Sequence, residues 1–139
     1  MSISNNSPSA KTPAGRMTAL YSLRGLNALD AETVLVALYD RSPLVRIHAL
    51  RLAEPFAVDS PRVVATLCSM IMDNELRVRY QLAFSLGAAS GRERNRALAK
   101  LIVQDGEESW MQLAVMTSMN HGVGQVFAEL SHNREFRKT

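Results

Sequence analysis

Apolar residues recur three and four positions apart along most of this chain, in runs of about 9–14 residues, and helix-breaking or polar residues interrupt the runs at regular intervals. The interruptions fall at Pro8 and Pro13, Asp30, Ser42-Pro43, Pro55, Ser60-Pro61, Asp73-Asn74, Ser90-Gly91, Asp105-Gly106 and Asn120-His121-Gly122. Between them the spacing predicts eight helices, over Ala14–Leu26, Ala31–Tyr39, Pro43–Glu54, Pro61–Met72, Glu75–Gly87, Gly91–Gln104, Glu107–Met119 and Val123–Leu130. Ser42-Pro43 and Ser60-Pro61 each offer a hydroxyl at the N-cap and a proline at the first helical position, where its missing N–H costs nothing. Pro55 is expected to end the helix that starts at Pro43. No run carries the period-two alternation of a strand.

The helices repeat. Asp40-Arg41-Ser42-Pro43-Leu44-Val45-Arg46 aligns with Asp73-Asn74-Glu75-Leu76-Arg77-Val78-Arg79 at an offset of 33 residues, so that Val-Arg falls on Val-Arg. The same step from Val78 reaches Met111, and Trp110-Met111-Gln112-Leu113-Ala114-Val115 keeps the apolar pattern with Gln112 in the arginine's place. Upstream, Gly15-Arg16-Met17-Thr18-Ala19-Leu20 echoes Val45-Arg46-Ile47-His48-Ala49-Leu50 at an offset of 30. The intervening helices also align, Val34–Leu38 with Val63–Leu67 and Val63–Leu67 with Ala97–Leu101. A two-helix unit of about 30–34 residues cannot bury its apolar stripe alone, so the units are expected to stack. The expected architecture is all-α, a right-handed α-α superhelix of about four helical pairs over residues 13–130, with polar tails at 1–12 and 131–139.

An aspartate followed by Val-Arg-x-x-Ala/Leu and a second apolar helix resembles HEAT and HEAT-like repeats, within the armadillo-like class, over about Pro13 to Asn120. The resemblance implies that the first-helix arginines, Arg46 and Arg79, form a structural polar ladder between repeats with Asp40 and Asp73. More narrowly, Gly15–Leu26, Val45–Glu54 and Gln81–Gly87 are similar to the HEAT segment of planctomycete membrane-bound-dehydrogenase-type cytochrome c proteins. In that family the segment lies between a dehydrogenase domain and a c-type cytochrome, so the resemblance implies a bacterial spacer or docking array. No Cys-x-x-Cys-His motif is present, and no haem site or other cofactor is carried over.

Composition narrows the chemistry. The 139 residues suit one domain; 47% are hydrophobic and only 6% aromatic, which favours Ala-, Leu- and Val-rich helices. Cys68 is the one cysteine and reads as a small buried hydrophobe, so an intrachain disulfide and a cysteine-rich zinc site are excluded. His48, His121 and His132 are scattered, and no metal site is expected. His48, between Ile47 and Ala49, reads as a satisfied, partly buried histidine. Gly122-Val123-Gly124 lacks a dinucleotide fingerprint and reads as a helix stop and restart, while Glu107-Glu108 favour the positive end of the helix that contains Trp110. Met70, Met72, Met111, Met116 and Met119 are expected to fill gaps in the core. The Ser-, Asn- and Pro-rich start has no apolar signal region and no run could span a bilayer, so the expected location is cytoplasmic, or periplasmic as part of a larger secreted redox protein.

One surface feature remains. In stacked repeats of this kind the second helices share a concave face, and the alignment places Arg62 with Arg96 and Thr66 with Lys100. Arg92 and Arg94 extend this basic stripe, which reads either as an anion-binding edge or as a solvated charge run. Trp110 either plugs the groove between the last repeats or anchors a partner. These residues are the candidate partner contacts of a non-enzymatic protein-interaction scaffold. The alternative is a HEAT-like binder of a nucleic-acid phosphate backbone, which the net charge of +3 and the low aromatic content support less well. A lyase-like HEAT enzyme would need an acid/base set, and none is found. End-to-end pairing into a homodimer is a further expectation if the helix at Val123–Leu130 leaves the end of the stack uncovered.

Overall fold

The computed structural model describes residues 11–119 and 123–132, and all eight expected helices lie within them. They are α1 (Pro13–Gly25), α2 (Ala31–Ala37), α3 (Pro43–Ala57), α4 (Pro61–Ser69), α5 (Leu76–Ser85), α6 (Arg92–Asp105), α7 (Ser109–Ser118) and α8 (Val123–His132). Single 3-10 turns at Met70–Met72 and Leu86–Ala88 extend α4 and α5. The fold is all-helical, with no strand among the described residues. Residues 1–10 of the expected N-terminal tail, the Asn120-His121-Gly122 break and residues 133–139 lie outside the described residues. Ser131 and His132, assigned by sequence to the tail, complete α8.

One boundary and one cap differ for physical reasons. Helix α3 runs through Pro55 to Ala57 instead of ending at Glu54. Pro55 removes one N–H, the one that would reach the Arg51 carbonyl, in the helix's last turn; Leu52, Ala53 and Ala57 are buried there, and Phe56 packs on the core. Burial of that turn outweighs the lost hydrogen bond. Ser42 stands at the N-cap of α3, but its hydroxyl makes no capping bond; the Asp40 carboxylate accepts the Ser42 N–H at 2.8 Å instead. Thr12, Asp30 and Ser60 cap α1, α2 and α4 through their side-chain oxygens.

The odd helices pack in succession, α1 on α3, α3 on α5 and α5 on α7, and so do the even ones, α2 on α4, α4 on α6 and α6 on α8. Leu38, Leu50, Leu52, Leu67, Leu82 and Leu98 are fully buried in one continuous core. Each contributes roughly 1.5–3 kcal/mol by leaving water. Small residues set the spacing: a Cβ on Gly87 would come within 3.2 Å of the Ser118 backbone, so glycine lets α5 and α7 close together there.

A polar ladder runs along the odd helices. The Arg16 guanidinium forks onto Asp40 (2.7 and 2.8 Å), Arg46 onto Asp73 (2.8 and 3.0 Å) and Arg79 onto Asp105 (2.7 and 2.9 Å). Each rung is bidentate and largely shielded, the second and third carboxylates being only 9% exposed. Arg46 and Arg79 also donate Nη1 to the backbone carbonyl six residues earlier, at Asp40 and Asp73. An inner arginine thus ties its own repeat's turn to the next repeat's aspartate. Asp40 and Asp73 accept a backbone N–H at the start of the following helix as well. Burial alone would raise the Asp40 carboxyl's pKa, but the Arg16 and Ser42 hydrogen bonds and the Arg16 and Arg41 charges outweigh it and hold the carboxyl below its usual value. At Gln112 the ladder changes: its Nε2 keeps the bond to the carbonyl six residues back, at Gly106, and brings no positive charge to pair with a further aspartate.

Candidate functional site

Two arginines of the basic stripe expected along the second helices are paired. Arg62 of α4 meets Glu32 of α2, and Arg96 of α6 lies 3.5 Å from Glu129 of α8, so each arginine faces a carboxylate on the neighbouring even helix. Both pairs are exposed enough for water to screen them. The Thr66 hydroxyl donates to the Arg62 carbonyl at 3.0 Å, one turn back on the same helix. Lys100 and Arg92 are exposed on α6. The result is a row of mixed sign, with Arg62 and Arg96 at its centre flanked by Glu32 and Glu129, in place of a uniform cationic stripe.

Arg94 is corrected outright. It is 2% exposed, and its guanidinium donates to the Leu86 carbonyl at 3.1 Å, to Asn95 Oδ1 at 2.8 Å and to the Ser118 carbonyl. Burial pulls its pKa below the ordinary arginine value. The reason is helical register: Arg94 shares the face of Leu98 and Leu101, both fully buried, whereas Arg92 and Arg96 point outward. It serves the carbonyls that end α5 and α7 and belongs to the core. The sequence signal for this was the Arg94, Leu98, Leu101 spacing.

Trp110 does not plug a groove. It is 68% exposed on α7, in a row with Leu113 and Met116. Met70 and Met111 are buried and Met119 packs on the core, as expected, but Met72 and Met116 stand in solvent. Between α6, α7 and α8 an open groove of about 600 Å³ is walled by Ile102, Val103, Met116, Met119, Val123 and Phe127. Its apolar character suits a hydrophobic side chain or helix face. Glu108 is the N-cap residue of α7 without a side-chain capping bond, which leaves it a role in the helix's positive end.

Two further groups are tuned by their surroundings. Tyr21 of α1 places its hydroxyl 2.8 Å from His48 Nδ1 of α3, with the rings edge-on at 5.5 Å, a hydrogen bond that a neutral imidazole accepts. Burial, helped by the Arg51 charge, lowers the His48 pKa from its ordinary 6.5. The unfolded chain therefore binds the proton more readily than the folded one. The stabilisation from neutral His48 is complete above pH 6.5 and is lost as the pH falls toward and through the folded-state value. Thermal melts at pH 7.5 and pH 5.5 should show wild type losing more stability on acidification than His48→Gln. Cys68, half-buried on α4, is pushed up to about 11 by burial and by Glu93, which disfavours the thiolate at neutral pH.

Among the described residues no three His, Cys, Asp or Glu side chains converge to hold a metal ion, and no helix is long and apolar enough to cross a membrane. His121 lies outside the described residues, and the His132 ring hydrogen-bonds the Ala128 carbonyl on its own helix. Sequence reasoning missed Asp105 as a ladder partner, the Glu32 and Glu129 counterions and the exposed row on α7. The chain matches no family model, no curated protein and no solved structure.

Proposed function

We propose that the chain is a non-enzymatic scaffold of HEAT-like repeats, four helical pairs wound as a right-handed superhelix, that presents the face of α2, α4, α6 and α8 to an extended protein segment. The observation that supports a protein partner is the pairing of Arg62 with Glu32 and of Arg96 with Glu129. A surface of mixed sign offers a polypeptide both donors and acceptors, whereas a phosphate backbone would meet the carboxylates of Glu32 and Glu129 beside Arg62 and Arg96. The ladder arginines Arg16, Arg46 and Arg79 are engaged between repeats and are unavailable to a ligand. The similarity to a spacer between redox domains fits the same reading, with the array docking one protein against another.

The test is affinity capture from native lysate with wild type and the Arg62→Glu/Arg96→Glu variant, half of each sample treated with nuclease. The reading expects a nuclease-insensitive protein whose recovery falls about tenfold in the variant, the equivalent of about 1.4 kcal/mol. Equal recovery by both forms would move the contact elsewhere. Retention of nucleic acid that weakens steeply with salt would replace the reading with a phosphate-binding one.

A further inference from the structure

We infer that the α7–α8 end of the stack is a self-association surface that seats the same end of a second copy of this chain. The inference is independent of the proposed even-helix face and uses different residues.

The repeat itself shows what this face lacks. Leu50 of α3, Ala83 of α5 and Met116 of α7 are equivalent by the 33-residue offset. Helices α3 and α5 each have a following odd helix packed on them, and Leu50 and Ala83 are both 0% exposed. Met116, with no such helix among the described residues, is 69% exposed. Ile47 and Tyr80 are half-buried, while their equivalent Leu113 is 47% exposed. Trp110 stands one turn before Leu113, and Val123 and Phe127 continue the apolar surface across the groove onto α8. An apolar face of this kind marks an association site.

Charge selects the occupant. No residue of α7, Ser109–Ser118, is ionisable at neutral pH, and at the ladder position Gln112 offers an amide in place of a guanidinium. A partner with a ladder aspartate would bury that carboxylate without a cation. A second α7 brings apolar side chains and no charge, so the two helices meet without like-charge repulsion, and Glu107 is the one acidic residue that lines the adjoining groove. The opposite end of the stack does not fit: the exposed positions of α1 include Thr18 and Ser22. Head-to-tail addition would lay that polar surface on the apolar one and would build an open filament, whereas tail-to-tail pairing closes as a two-fold dimer.

Trp110, the chain's one tryptophan, borders the contact one turn from Leu113, and its emission reports on it. Sedimentation and tryptophan emission of the full chain would be followed on dilution from roughly 100 µM to 0.1 µM, for wild type, Leu113→Glu/Met116→Glu and, as a control at the other end, Thr18→Glu. Wild type and Thr18→Glu should sediment at twice the 15.3 kDa chain mass when concentrated, with emission that shifts red on dilution. The Leu113→Glu/Met116→Glu form should keep its helical circular dichroism, sediment as a monomer and emit red throughout. Substitution of two exposed residues leaves the core intact, and Leu113→Ser/Met116→Ser repeats the test without added charge. A wild type that is monomeric at every concentration would overturn the inference. So would a dimer that survives both double variants, or one whose tryptophan emission does not change with dissociation.

Discussion

Replacing Asp73 by alanine should lower the unfolding free energy by about 3 kcal/mol, and the melting temperature by about 10 °C. The substitution removes both hydrogen bonds of the Arg46 fork and leaves that guanidinium, only 12% exposed, beside no carboxylate. It also removes the acceptor of the Glu75 N–H at the start of α5. Breaking one partner of a shielded pair costs more than the pair contributes, because the surviving charge stays desolvated. Asp73→Asn keeps an acceptor for the backbone N–H and should recover part of the loss. Asp30→Ala is the comparison: its carboxylate only caps α2 at an exposed site, and about 1 kcal/mol is expected. Chemical denaturation of the three variants, read by circular dichroism, separates the ladder from ordinary capping.

The ladder was half legible in the sequence. Asp40, Arg46, Asp73 and Arg79 recur in register, so the repeat and its polar stripe could be read from spacing and resemblance. Asp105 escaped because it ends α6 as an apparent helix breaker, and the degenerate third repeat hides its alignment with Asp73. Helix positions were recovered from apolar periodicity and capping residues, since burial and local propensity agree along most of the chain. Pro55 misled because propensity and burial disagree there, and burial prevails in the last turn of α3. The candidate site was less legible. An arginine two residues from another looks the same on paper whether it faces solvent or core, and only the register of Leu98 and Leu101 separates Arg94 from Arg92 and Arg96. Counterions from the neighbouring even helices, Glu32 and Glu129, depend on how repeats stack, which spacing alone does not specify.

Arg94→Ala should cost about 3 kcal/mol, and here the two readings of the residue diverge most. As a surface contact, Arg94 would affect binding and leave stability within about 0.5 kcal/mol. As a core residue, its loss removes the guanidinium donor from the Ser118 carbonyl, leaves the Leu86 carbonyl only the Ala89 N–H, and opens space where α6 meets the ends of α5 and α7. Arg94→Lys should rescue little, because one ammonium cannot reproduce a planar fork directed at Leu86, Asn95 and Ser118. Arg92→Ala, two residues away and exposed, should be nearly silent in the same melts.

Adjacent repeats are held in register by arginine–aspartate forks, which commits those residues to structure. A double-mutant cycle on Arg79 and Asp105, with Arg79→Met, Asp105→Ala and the double variant compared by denaturant unfolding, tests this most directly. A coupling energy of about 2–3 kcal/mol is expected, with the double variant scarcely less stable than either single one. Additive losses, with coupling near zero, would mean that the fork contributes no link between repeats and would contradict it.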